Sequence, residues 1–250
     1  MLQTFGLTRR FGSFTAVDGL DIAIAPGTIL GFVGPNGAGK TSTIRMLTGE
    51  SRPTAGSVTY EGQPIDADPI GYRRRIGIVS AEPFAYDYLT GREFLHFVAD
   101  IRNLPPAEAE AVIDENIDRF ELADRIDSLV GTWSTGMRRK LAIIAALMHR
   151  PTLLFLDEPT NGLDPVAVVR FRDLLLALRS AGTAIFLTTH ILEVVERIAD
   201  TIMVVRSGRI VAQGRLADLR TRFGRPDDAA VCDLETILMA TESQSTRNDP

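Results

Sequence analysis

A chain of 250 residues, 45% apolar and 24% charged, has the make-up of one soluble α/β domain, or of one such domain with a modest insertion. Its formal charge of -5 gives no overall pull toward nucleic acid or anionic lipid, so no nucleic-acid partner is expected. One cysteine, Cys232, excludes an internal disulfide, and with His96, His149 and His190 scattered along the chain no metal cluster can be assembled around it.

The N-terminus, Met1 to Phe5, lacks the apolar core of a signal peptide. No apolar run approaches the ~20 residues that span a bilayer. A reducing, cytoplasmic location is therefore expected, and work at a membrane would need another chain to cross it. In chain order, Leu20, Ile22 and Ile24 alternate with polar or small residues before the turn at Pro26-Gly27. Ile29 to Val33 reads as a strand that runs into a glycine-rich loop. Thr41 to Thr48 reads as a helix with Gly49 beyond its end. Ser57 to Tyr60 reads as a strand. Thr90 and Glu93 have the spacing of a capping box opening a helix, Pro105-Pro106 breaks it, and a second helix follows with Ile113, Ile117 and Phe120 on one face. A helical insertion over about 84–135 is the expectation. Then come a strand at Leu153 to Leu156, a helix at Val166 to Leu178, a strand at Ala184 to Leu187, and a hairpin about Ser207-Gly208. The last ten residues hold no large apolar side chain and are expected to be disordered.

Gly34-Pro35-Asn36-Gly37-Ala38-Gly39-Lys40-Thr41 fits the phosphate-binding pattern G-x-x-x-x-G-K-[ST], with a strand before it and a helix after it. A triphosphate needs many donors at close range. Glycines let successive backbone N–H groups curl inward, and a helix N-terminus adds its positive end. Lys40 can reach the outer phosphates, Thr41 can offer its hydroxyl to Mg²⁺, and Ser42 can reach an inner phosphate. The motif by itself marks a nucleotide site without naming the reaction. Leu153 to Asp157 and Glu158 form an apolar strand that ends in two carboxylates, where ligands of α/β sheets bind. Asp157 can hold Mg²⁺ and Glu158 can act as general base on a water.

With these residues the chain resembles the ABC ATPase family from about Phe11 to Gly214. The run Asp157-Glu158-Pro159-Thr160-Asn161-Gly162-Leu163-Asp164-Pro165 matches the family's magnesium aspartate, catalytic glutamate and D-loop in one stretch. The resemblance implies that His190, in Thr188-Thr189-His190, is the switch histidine that contacts the γ-phosphate. Trp133-Ser134-Thr135-Gly136-Met137 stands where the family carries its L-S-G-G-Q signature. Ser134 suits a helix N-cap and Gly136 permits close backbone approach. The form is similar to the signature of cassettes that pair with ABC-2-type permeases. The resemblance further implies that Ser134, Thr135, Gly136, Met137 and Asp164 serve ATP bound across a dimer, and that Phe11 stacks on adenine. In Ile76 to Pro83, Ala81 occupies the place of the family's Q-loop glutamine and offers no ligand atom.

The implied fold is a P-loop NTPase of RecA-like core, with an N-terminal antiparallel β subdomain and an inserted α-helical subdomain. One ATPase domain is expected over 1–220, followed by a short extension over 221–250. The implied cofactors are ATP and Mg²⁺. The implied partners are a second cassette, identical or not, and a separate transmembrane permease that holds the cassette at the inner face of the membrane. A weakly hydrolytic, regulatory half of an asymmetric pair remains an alternative, as does a cassette acting on DNA or ribosomes.

Overall fold

The computed structural model describes residues 1–223 and, beyond them, Leu234, Thr236 and Met239. Most of the expected extension over 221–250, including the tail, lies outside the described residues. The chain opens with β1 (Leu2–Phe11), β2 (Phe14–Leu20), β3 (Ala23–Ile24), β4 (Ile29–Val33), α1 (Lys40–Leu47), β5 (Ala55–Tyr60) and β6 (Gln63–Pro64). It continues through α2 (Pro69–Arg75), β7 (Ile76–Val79), α3 (Gly91–Arg102), α4 (Pro106–Arg119), a single 3-10 turn at Val130–Thr132 and α5 (Thr135–Leu147). It closes with β8 (Leu153–Asp157), α6 (Pro165–Ser180), β9 (Ala184–Thr189), α7 (Leu192–Ile198), β10 (Thr201–Arg206), β11 (Arg209–Gly214) and α8 (Leu216–Phe223).

Two sheets result. The larger has strand order β11-β10-β4-β9-β8-β7. All its pairs are parallel except β10 with β11, which are joined by the expected hairpin. At its turn Ser207 and Gly208 both have positive φ, as a type I′ turn requires. The strands β4, β8 and β9 are buried at every residue. Helices cover both faces of such a sheet, and this is why these strands read as continuous apolar runs. The smaller sheet is antiparallel, β2-β1-β5-β6 with β3 beside β1.

The α-helical insertion is less continuous than the sequence suggests. Residues 84–90 carry no helix, because α3 starts only where Thr90 caps it. Both halves of the capping box form: Thr90 accepts from the Glu93 amide, and the Glu93 carboxylate accepts from the Thr90 amide. Beyond Phe120 the chain runs through turns until Ser134, whose hydroxyl accepts from the Met137 amide, opens α5. The apolar residues of α3, α4 and α5 join those of β8, β9 and α6 in one core, and a second core fills the space between the two sheets. Among the described residues no helix is long and apolar enough to cross a membrane.

Candidate functional site

The carboxyl ends of β4, β8 and β9 converge. In register, Val33 lies beside Thr189 and Asp157 beside Thr188, so the loop after β4 and the acids after β8 leave the sheet side by side. The loop Gly34 to Gly39 leads directly into α1, whose N-cap Gly39 has φ 101 and supplies no side-chain cap. A Cβ at Gly39 would lie 2.4 Å from the Ala16 carbonyl oxygen, so only glycine fits both the backbone angle and the space. The first amides of α1 are thereby left as donors facing the cleft. Lys40 is buried. Its ammonium donates to the carbonyls of Gly34 (2.7 Å) and Pro35 (3.3 Å) and stands 3.5 Å from Glu158 Oε1.

The two carboxylates have different surroundings. Asp157 is 3% exposed. Its Oδ1 accepts from the Thr188 hydroxyl at 2.6 Å and its Oδ2 from the Thr41 hydroxyl at 2.9 Å. Glu158 turns out of the strand with φ 48, a left-handed angle that a non-glycine residue adopts at a cost, and such angles concentrate at functional sites. Its Oε2 accepts from the His190 amide (3.1 Å) and pairs with His190 Nδ1 (2.8 Å), which makes Nδ1 the protonated nitrogen. Glu158 is thus held between a lysine and a histidine, with one oxygen toward each.

The donor set suits Mg²⁺. A hydroxyl and a carboxylate, both hard oxygen ligands, meet beside a phosphate loop and leave coordination places for substrate oxygens and water. Among the described residues no group of three or more His, Cys, Asp or Glu side chains could cage a metal alone. That is the usual situation for an ion that arrives with a nucleotide.

Phe11 and Phe14 face each other across the β1–β2 turn, and both line the same cleft as Asn36, Lys40, Thr41, Ser42 and Glu158. The Arg9 guanidinium lies 4.7 Å from the centroid of the Phe11 ring and braces it. Ala81 also lines the cleft, whereas its neighbour Glu82 is exposed and does not.

The signature residues stand apart. Ser134, Thr135, Gly136 and Met137 do not line this cleft. They lie against the D-loop of their own chain: a Cβ at Gly136 would be 2.5 Å from the Gly162 carbonyl oxygen. Asp164 caps α6 through the Ala167 amide (2.8 Å) and pairs with Lys140 of α5 at 3.2 Å. The amide bond of Ala167 first, and Lys140 as well, hold the Asp164 carboxyl below its usual range.

Residues 17–161 match the family model described as ABC transporter. The chain is 40% identical over 223 residues to the daunorubicin/doxorubicin resistance ATP-binding protein DrrA of Streptomyces peucetius, covering 89% of this chain and 68% of that protein. It is 38% identical over 223 residues to the bacitracin transport ATP-binding protein BcrA of Bacillus licheniformis, covering 89% and 72%. The chain belongs to the ABC transporter family. It is an ATP-binding subunit of that family and an ATP hydrolase. A solved ATP-binding subunit of an ABC transporter superposes on it with TM-score 0.89 at 29% identity, covering 97% and 99% of the two chains. A dimeric cassette holding ADP and Pi shares the fold, with TM-score 0.79 at 22% identity and coverage of 86% and 99%.

Three residues of this cassette's site escape a reading of motifs. Thr188 binds Asp157 from the neighbouring strand. Phe14 doubles the aromatic surface of Phe11. Arg139, on α5, is buried beside the Ala81 loop. A signal for Arg139 exists: with Ile143 and Leu147 it falls on the buried i, i+4, i+8 face of α5.

Proposed function

We propose that this cassette is the motor of a transporter. It binds ATP with Mg²⁺, closes on a second cassette around two ATP molecules, and drives a separate permease of the ABC-2 type from the inner face of the membrane. The observation that carries this reading is the split between two half-sites. The phosphate loop, Asp157 and Glu158 share one cleft, with His190 bonded to Glu158, while the signature Ser134 to Met137 lies outside it with Ser134 and Thr135 exposed. A helix N-terminus exposed away from its own phosphate loop is free to serve an anion held by another molecule, which supports the reading.

In the proposed cycle the amides of Gly37 to Thr41 and the Lys40 ammonium take the phosphates, and Lys40 gives up the Gly34 and Pro35 carbonyls to do so. Phe11 and Phe14 offer π faces to the adenine. Mg²⁺, when bound, neutralises phosphate charge, and Thr41 and Asp157 are the residues that would hold it. Glu158 accepts a proton from the attacking water, and His190 keeps its carboxylate aimed. Closure by ATP is a population shift, driven by tighter binding to the closed dimer. Export is the direction supported by relatives named for drug resistance. A permease contact is supported by the exposed aromatic run after the Ala81 loop. There Phe84 and Tyr88 flank Tyr86 at centroid distances of 5.1 and 5.5 Å, and both are at least 70% exposed.

The test is Glu158→Gln, which removes the base and keeps the shape. With ATP and Mg²⁺ it is expected to elute from a sizing column as a stable dimer, alone or with its permease in mild detergent. Monomeric elution under both conditions would overturn the sandwich.

A further inference from the structure

Arg139 is 2% exposed and sits in the second turn of α5. Its two terminal nitrogens form a fork on successive carbonyls, Nη1 donating to Ser80 (2.5 Å) and Nη2 to Ala81. These carbonyls lie just past Val79, the last residue of β7 in register with β8, so the strand ladder does not serve them. Among the described residues no carboxylate lies within 4 Å of this guanidinium, and Nε has no hydrogen-bond partner. The charges that favour it act from further off and belong to Asp157 and Glu158.

A buried cation without a paired carboxylate is a poor way to fill a core, because its desolvation cost exceeds what an apolar side chain of like volume would incur. Arg138, next in sequence, is the contrast: it pairs with Asp87 at 2.6 Å near the surface. Arg139 spends its charge on the backbone of one loop. That loop lines the phosphate cleft at Ala81, a residue whose side chain has no oxygen with which to hold itself to the site.

We propose that Arg139 is a positioning residue: its guanidinium fastens the Ser80–Ala81 loop to the signature helix, so that the loop's place beside Asp157 and Glu158 depends on where α5 stands. A rigid helix carries the fork at one end of a turn and the signature Ser134 to Met137 at the other. Displacement of the signature by a partner therefore moves the loop, and displacement of the loop moves the signature. The coupling is reciprocal by linkage. It rests on the functional reading above only for its consequence in turnover, not for the fastening itself.

Two variants test it, Arg139→Met, which keeps the stem and deletes the fork, and Arg139→Lys, which keeps the charge but loses the planar two-point contact. Hydrogen exchange of the amides of residues 80–82 and 84–86 in nucleotide-free protein is the first readout. Loss of charge-assisted bonds should speed exchange there by about 10-fold or more in Arg139→Met, and by less in Arg139→Lys, with the Gly34 to Thr41 amides unchanged. The second readout is steady-state ATPase with the permease. There kcat should fall about 10-fold while KM for ATP stays within about 2-fold, since Lys40 is untouched. Unchanged exchange at residues 80–82 and 84–86, or faster exchange spread evenly over the whole chain with a lowered Tm, would overturn the proposal. Absence of ATPase in the wild type would instead sink the functional reading and leave the exchange result to decide the fastening.

Discussion

The carboxyl edge of the central sheet and the start of α5 both carry motifs, yet they are finished to different degrees. At the sheet edge each charged group has its partner in the same chain: Lys40 on two carbonyls and Glu158, Asp157 between Thr41 and Thr188, Glu158 on His190. The start of α5 is secured from below, by the Ser134 cap and the Lys140–Asp164 pair, while Ser134 and Thr135 face solvent. One region has its charged groups paired within the chain. The other presents exposed residues that, in the proposed dimer, serve a site outside the chain. Substitutions in the two regions should therefore fail in different ways.

The largest effect is expected at Glu158. Glu158→Gln should lower kcat by ~10²–10⁴, as loss of a general base does. ATP affinity should hold, because Lys40 and the loop amides remain. A kcat within a few-fold of wild type would move the base elsewhere. Next comes Lys40→Ala. With ATP at ~100 times its dissociation constant, the wild type should gain ~2.7 kcal/mol of stability. The variant should lose most of that gain in a thermal melt, and an unchanged shift would mean that nucleotide binds at another place.

Gly136→Ala sharpens the contrast. The new methyl would meet the Gly162 carbonyl oxygen at 2.5 Å, so the signature and the D-loop must part. Overpacking of this kind costs ~1–3 kcal/mol. The single chain should keep its ATP-induced thermal shift, since the phosphate cleft is untouched. The dimer should turn over about 10-fold more slowly, which corresponds to ~1.4 kcal/mol. Loss of the thermal shift in the isolated chain would show that the two regions are not separable.

The finished region was the more legible one in the sequence. The phosphate loop, the strand before it and the helix after it fall where the glycines and the lysine put them, because backbone geometry and anion chemistry dictate those residue types locally. The Thr90–Glu93 box and the Ser134 cap were readable for the same reason. Helix α2 was not. It has an Asp68 cap, a proline at its first position and arginines at its end, all regular signals, but Tyr72 is its one buried residue and no apolar stripe marks it. The stretch 84–90 falls inside the expected helical insertion but forms no helix: Tyr86 packs toward the core while Phe84 and Tyr88 stack on it from the exposed side. Arg139 is harder to read, because an arginine between Arg138 and Lys140 reads as a solvated charge despite its place on the face of Ile143 and Leu147. Only the tertiary approach of the β7 exit loop makes it a buried one.

The narrowest expected effect is a pH dependence confined to acid conditions and to the far end of α5. His149 donates Nε2–H to the Ile76 carbonyl at 2.8 Å, which ties the helix end to the base of β7. Its Nδ1 is buried and has no partner, so a second proton there would find no acceptor. Burial first, then the nearby Arg102 charge, push its pKa down to about 4 from the ordinary 6.5, against the opposing pull of the Ile76 carbonyl. A depressed pKa means that the unfolded chain binds the proton more readily. This contribution to stability is therefore fully present above about pH 6.5 and is lost as pH falls toward about 4. His149→Gln keeps a donor for Ile76 and cannot titrate, so its Tm should fall less steeply than wild type across that window, and the two should run parallel above it. Because His149 lies away from the phosphate cleft, the ATP-induced thermal shift at pH 7.5 should be equal in both proteins. A wild-type melt with the same slope as His149→Gln between pH 6.5 and 4 would show that α5 is held to the sheet by its apolar face alone.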